Sequence, residues 1–141
     1  MTSGAAPELC VGAVAVDDDR LLLVRRGRGA AQGRWSLPGG RVELGETLAE
    51  AVVRELLEET ALEGVCDGLV GWVEILDPPG APGAHYVVLD FKVTVLDAID
   101  PVAGDDAAEA AWVPLLEVTD LQLTDGLAEF LGEHGILRAY T

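Results

Sequence analysis

The chain has 141 residues, half of them apolar, and a formal net charge of −16. That length bounds it to a single domain over residues 1–141 with one substantial core. The charge excludes a sustained grip on a nucleic acid polymer or an anionic membrane surface, both of which want clustered lysine and arginine.

Two cysteines, Cys10 and Cys66, build no disulfide framework and sit in apolar surroundings, as buried free thiols do. The first apolar run, Cys10 to Val16, is too short to span a membrane or act as a leader, so a cytoplasmic location is expected. Residues 1–8 read as a loose tail. Cys10 to Val16 and Leu21 to Arg26 flank Asp17-Asp18-Asp19, which predicts a hairpin opening a mixed sheet. Gly27 to Gly33 is a loop, and Trp35 to Leu37 a short strand with Trp35 as a core anchor. Of nine basic residues, seven lie between Arg20 and Arg54, so positive charge is concentrated where a small anionic ligand would need it.

Pro38, Gly39, Gly40 and Gly45 form a turn whose backbone can approach a ligand and point carbonyls and N–H groups at it. Glu46 and Thr47 then open a helix. At about 100° per residue, Glu55, Glu58 and Glu59 share an arc of about 100°. Ala49, Val52, Val53, Leu56, Leu57 and Thr60 form an apolar stripe beside them, which predicts that acids and core are segregated. Like charges at these spacings cost roughly 0.2–0.5 kcal/mol per pair, and the macrodipole disfavours anions in the last turn. A Mg²⁺ or Mn²⁺ ion reverses the sign of those terms, because hard cations take oxygen ligands and fill their shells with water and substrate phosphates. The plainer reading is a solvated acidic face with Arg54 and Glu58 as one compensating pair. The glycine turn beside the acids tips the balance toward a ligand.

Gly40, five residues, Glu46, seven residues, Arg54-Glu55-Leu56, one residue, Glu58-Glu59, one residue, Ala61-Leu62 resembles the signature box of the Nudix hydrolases. The one departure is Ala61, where the family pattern has glycine. Glycine suits a left-handed helix cap, and alanine there costs on the order of 1–2 kcal/mol. The alternative is a helix that runs on and stops near Gly64.

The resemblance implies an α/β (α+β) fold with a mixed β-sheet sandwiched between helices, and cleavage of a nucleoside diphosphate linked to another group. It implies one or more Mg²⁺ ions, with Mn²⁺ as a substitute, held by Glu55, Glu58, Glu59 and the Gly40 carbonyl. Arg54 would orient Glu55 or Glu58, and Gly39 and Gly40 would lie against the substrate. Arg25 or Arg26, at the end of the second strand, would contact its phosphate, strand alternation choosing one of the two.

Beyond the box, Gly68 to Leu76 reads as a strand, and Asp77-Pro78-Pro79-Gly80-Ala81-Pro82-Gly83 as a loop. Pro78, sixteen residues after Leu62, resembles in spacing a proline of the family's ADP-ribose pyrophosphatase branch. Val87 to Val95 is a strand whose wetter face carries Val88, Asp90, Lys92 and Thr94. His85 and His134 stand alone as surface or satisfied core groups. Family members draw a further acid, as metal ligand or base, from the loop before the strand Ala110 to Val113. Asp106 fits best, and Glu109 is the alternative. The general base is open among the box glutamates, Glu46 and the carboxylates of Asp105 to Glu109. Thr124 is expected to cap a last helix, Asp125 to Glu133, ended by Gly135.

The resulting expectation is a metal-dependent pyrophosphohydrolase acting on ADP-ribose or a related small nucleotide derivative and releasing nucleoside monophosphate. Cleansing of oxidised nucleoside triphosphates is a close variant. A nucleotide sensor without turnover is opposed by the intact Glu55, Glu58 and Glu59. A homodimer is compatible with the ADP-ribose reading, and no feature demands one.

Overall fold

A computed structural model describes residues 6–29, 31–104 and 106–137. Residues 1–5 of the expected tail and Asp105 of the acidic loop lie outside the described residues. In chain order the elements are β1 (Glu8–Val14), β2 (Val16–Asp17), β3 (Arg20–Arg26), β4 (Trp35–Ser36), β5 (Gly39–Arg41), α1 (Leu48–Thr60), β6 (Gly64–Leu76), β7 (His85–Val95) and β8 (Ala107–Pro114). A 3₁₀ turn (Leu115–Asp120) and α2 (Leu127–Glu133) follow. The tail is shorter than expected, since Glu8 already belongs to β1.

The first sheet has the order β5-β1-β7-β6, with β1 antiparallel to β5 and parallel to β7, so the sheet is mixed as expected. The expected hairpin is split, however. The chain crosses at Ala15 into a second sheet, where the turn at Asp18 and Asp19 joins β2 to β3, with β4 and β8 pairing along β3. Leu22 faces one core cluster while Leu21 and Leu23 face the other. A strand buried on both faces reads as a continuous apolar run, and such a run does not reveal its partner.

Those two clusters flank the sheets. One holds Val11, Ala13, Leu22 and Val93 under Val52 and Leu56 of α1. The other holds Val14, Leu23 and Val113 under Phe130 and Leu131 of α2. β6 starts earlier than its hydrophobic pattern does, because irregularities between Cys66 and Gly68 and between Leu69 and Gly71 break the alternation.

α1 opens with a capping box, Thr47 Oγ1 accepting from Glu50 N–H at 3.1 Å and Glu50 Oε1 accepting from Thr47 N–H at 2.8 Å. It does not run on to Gly64. It stops at Thr60, and Ala61 adopts the left-handed conformation (φ 63°, ψ 16°) that glycine would take there. The last carbonyls are not left open: Gly104 N–H donates to Glu59 O at 3.2 Å and Val102 N–H to Thr60 O at 2.9 Å. At the other helix, Thr124 is not the cap. Its N–H is committed to Trp35 O at 2.9 Å beside the Trp35–Leu123 bridge, and Gly126 (φ 83°) precedes the first residue of α2. No helix among the described residues is long and apolar enough to cross a membrane.

Candidate active site

The acids of α1 are not segregated from its core face. Ala51, Val52, Leu56 and Thr60 are the buried positions, whereas Ala49 and Leu57 are exposed. Glu55 shares the buried side, its side chain only 13% exposed, and Glu59 is half-buried, whereas Glu58 is 40% exposed. Carboxylates this sheltered need partners. Glu59 Oε1 accepts from Gly39 N–H at 2.8 Å. Glu55 lies so close over Gly40 that a Cβ there would run into its carboxylate, which is why β5 carries glycine at this point.

Arg54 supplies the compensating charge. Its Nε donates to Glu46 Oε2 at 2.6 Å and its Nη2 to Glu46 Oε1 at 3.0 Å. Nη1 reaches both Glu55 Oε2 and Glu58 Oε1 at 3.1 Å, and Nη2 also donates to Arg41 O at 3.0 Å. One guanidinium therefore orients Glu55 and Glu58 together, where the spacing predicted one or the other. The hydrogen bonds from Arg54, with one from Glu43 N–H, hold the Glu46 carboxyl down at about 2. Arg54 is pushed up in turn by the bond to Glu46. A carboxylate so engaged is a poor proton acceptor.

These groups open onto a cleft of about 1060 Å³ whose lining includes Glu55, Glu59, Gly39, Gly40, Arg26 and Asp106. The arginine pair diverges at the end of β3, where the pairing with β8 is irregular between Arg25 and Arg26. Arg26 lines the cleft, while Arg25 bonds Glu109 Oε1 at 2.8 Å away from it. That bond also engages Glu109. Asp106 is held by Arg28 Nε at 2.7 Å. Pro78 and Pro79 line the cleft too, and Ala31 N–H donates to Pro79 O at 3.1 Å, tying the two rim loops together. Glu58 sits outside the lining, beside Arg54. His85 is paired with Glu74 at 2.7 Å, and burial lifts the Cys10 thiol to about 11, which keeps it protonated.

Among the described residues no three Asp, Glu, His or Cys side chains converge as a closed metal cage. Two carboxylates beside a glycine turn nonetheless fit a Mg²⁺ ion, which is commonly held by one or two carboxylates with water and substrate phosphates completing its shell.

The sequence reading missed Asp90. It was assigned to the wetter face of its strand, yet it is 4% exposed and lines the cleft, and burial raises its carboxyl to about 7. Gly39 pairs with Gly12, Gly12 with Asp90, and Asp90 with Gly71, so one row across four strands carries a single side chain. That carboxylate occupies the space a Cβ on Gly12 would need. The available signal was an acid in the middle of a strand that crosses three glycines, but reading it requires the register.

Residues 6–133 match the family described as NUDIX domain. An ADP-ribose pyrophosphatase from Methanocaldococcus jannaschii is 38% identical over 109 residues, 77% of this chain and 63% of that protein. The 8-oxo-dGDP phosphatase NUDT18 of Homo sapiens is 30% identical over 98 residues, covering 70% of this chain and 29% of that one. The chain thus spans less than two thirds of the length of these curated relatives. The crystal structure of a MutT protein from Methanosarcina mazei Go1 superposes with a TM-score of 0.78 at 25% identity, covering 93% of this chain and 95% of that one. The acids docked on a glycine turn, the arginine behind them and the match over nearly the whole chain agree: this protein belongs to the Nudix hydrolase family.

Proposed function

We propose that the protein is a Mg²⁺-dependent pyrophosphohydrolase that cleaves a nucleoside diphosphate joined to a second group, with ADP-ribose as the preferred substrate class. The observation that carries this reading is the docking of Glu55 and Glu59 on Gly40 and Gly39, with Arg54 behind them and Arg26 lining the same cleft. Glu55, Glu59 and the Gly40 carbonyl would hold Mg²⁺, with Glu58 at its margin, and Mn²⁺ suits the same oxygens. When bound, the ion neutralises diphosphate charge and lowers the pKa of a coordinated water.

The chain's own residues do the rest. Arg26 meets phosphate charge, Arg54 fixes the rotamers of Glu55 and Glu58, and Glu46 holds Arg54 in place. With Glu46 engaged by Arg54 and Asp106 by Arg28, Glu59 on the cleft wall is the carboxylate that best fits the role of accepting the proton of the attacking water. The name of the M. jannaschii relative and the position of Pro78 on the cleft wall favour ADP-ribose. The name of NUDT18 supports oxidised nucleotides as the second reading.

A panel of ADP-ribose, dinucleotides, nucleotide sugars and canonical and oxidised nucleoside di- and triphosphates with Mg²⁺, scored by product chromatography, decides between them. AMP and ribose 5-phosphate from ADP-ribose are the expected products. Turnover confined to oxidised nucleotides replaces the substrate while leaving the reaction class.

A further inference from the structure

Asp90 is 96% buried by its 4% exposure, and neither a hydrogen bond nor an ion pair from a described residue reaches its carboxyl. Buried carboxyls kept for structure are paired, because an unpaired one costs several kcal/mol. This one instead faces the cleft from the middle of the glycine row. The row begins at Gly39, where Glu59 is docked, and Asp90 stands two strands away, about 10 Å along the sheet. A nucleoside spans that kind of distance between its 5′-phosphate and the far edge of its base. The same lining includes Val73, Val88 and Phe130. Those walls suit the flat face of a ring and offer a ribose little. A carboxyl there repels phosphate and invites an N–H donor.

Building on the nucleotide reading above, we propose that Asp90 selects the substrate's base, its carboxyl accepting a hydrogen bond from an N–H on the edge of an amino-bearing purine. Gly12 makes room for the carboxyl itself, which fills the space a Cβ there would need. The residue is a specificity determinant that touches the base and takes no part in breaking the anhydride.

Equilibrium binding of AMP, GMP and purine riboside 5′-monophosphate, with Mg²⁺ present, tests this. All three share phosphate and ribose, but the last lacks any N–H on its base. The native protein should bind AMP or GMP about tenfold or more tightly than the unsubstituted purine, one hydrogen bond to a buried carboxyl being worth that much. In Asp90→Ala the three should fall within about threefold of one another. Asp90→Asn, which keeps a carbonyl acceptor in the same place, should retain part of the preference. Thermal melts confirm folding of both variants. Absence of preference in the native protein overturns the proposal, as does a preference that survives in Asp90→Ala. Equal weakening of all three ligands, with no native preference, moves the contact to the ribose and also overturns it. Failure of the native protein to hydrolyse any nucleotide overturns the reaction class separately, since the binding ratios do not depend on turnover.

Discussion

Gly39 N–H and Glu59 Oε1 lie 2.8 Å apart, so the glycine turn and the acidic helix are joined by a bond between one backbone and one side chain. A glutamine at 59 keeps an oxygen for that bond and loses the charge. Glu59→Gln should therefore leave the melting temperature within a few degrees and lower kcat/KM at least tenfold with Mg²⁺. Glu59→Ala, which also orphans the N–H, should lose about 1–2 kcal/mol of stability in chemical denaturation.

Arg54 and Glu46 form the tightest pair behind the site. Neither is expected to touch substrate, so removing their bond should act through Glu55 and Glu58. Glu46→Gln should raise the Mg²⁺ concentration needed for half-maximal rate by 10–100-fold, the usual cost of disturbing the partners of metal ligands. Acid titration gives a second check. The folded pKa of Glu46 is depressed, so its contribution is present above the unfolded value near 4.5 and is lost as pH falls toward about 2. Glu46→Gln should flatten the stability curve in that window.

Ala61 holds φ 63° at the end of α1. Glycine removes the clash of Cβ with the following carbonyl, so Ala61→Gly should stabilise the fold by about 1 kcal/mol, the gain being trimmed by glycine's greater freedom when unfolded. The expected rise in melting temperature is about 2–4 °C.

Asp90 weighs against the fold progressively as pH rises from acid to neutral. Its folded pKa, about 7, lies above the ordinary carboxyl value of 3.8, so between those values the folded state binds more protons than the unfolded one. Stability should fall as pH rises from about 4 to about 7 and then level off, the burden reaching on the order of 4 kcal/mol. Asp90→Asn should remove the trend, gaining more at pH 8 than at pH 5 in denaturant titrations.

Arg25 and Arg26 are neighbours in sequence and opposites in setting. Arg26→Ala should raise KM for ADP-ribose by tenfold or more, as expected for a lost charge-assisted contact to phosphate. Arg25→Ala breaks a half-exposed pair with Glu109 and should change KM less than twofold.

What could be read from the chain and what could not divides along physical lines. Arg54, Glu55, Glu58 and Glu59 lie within one helix, where periodicity alone groups them, whereas Gly40 in β5 and Glu46 ahead of the helix reach them through the turn and through Arg54. Arg26 was half legible, because alternation fixes that neighbours diverge but not which one faces inward. The outward turn of Leu57 and the burial of Glu55 were hidden, since helical spacing gives relative angles and the sheet chooses the absolute one. Thr124 failed as a cap because its backbone is used by Trp35, a contact 89 residues away in the chain. Asp90 was invisible for the same reason: its setting is a property of four strands in register.

Arg54 carries its positive charge into the acidic helix whether or not an ion has arrived. It is a resident counterion, and repulsion among Glu46, Glu55 and Glu58 is quenched before any metal is recruited. The fold should therefore form without added Mg²⁺, with Glu55 and Glu58 already oriented by Arg54. Chelator should silence such a protein without melting it, and adding the ion back should restore it at once.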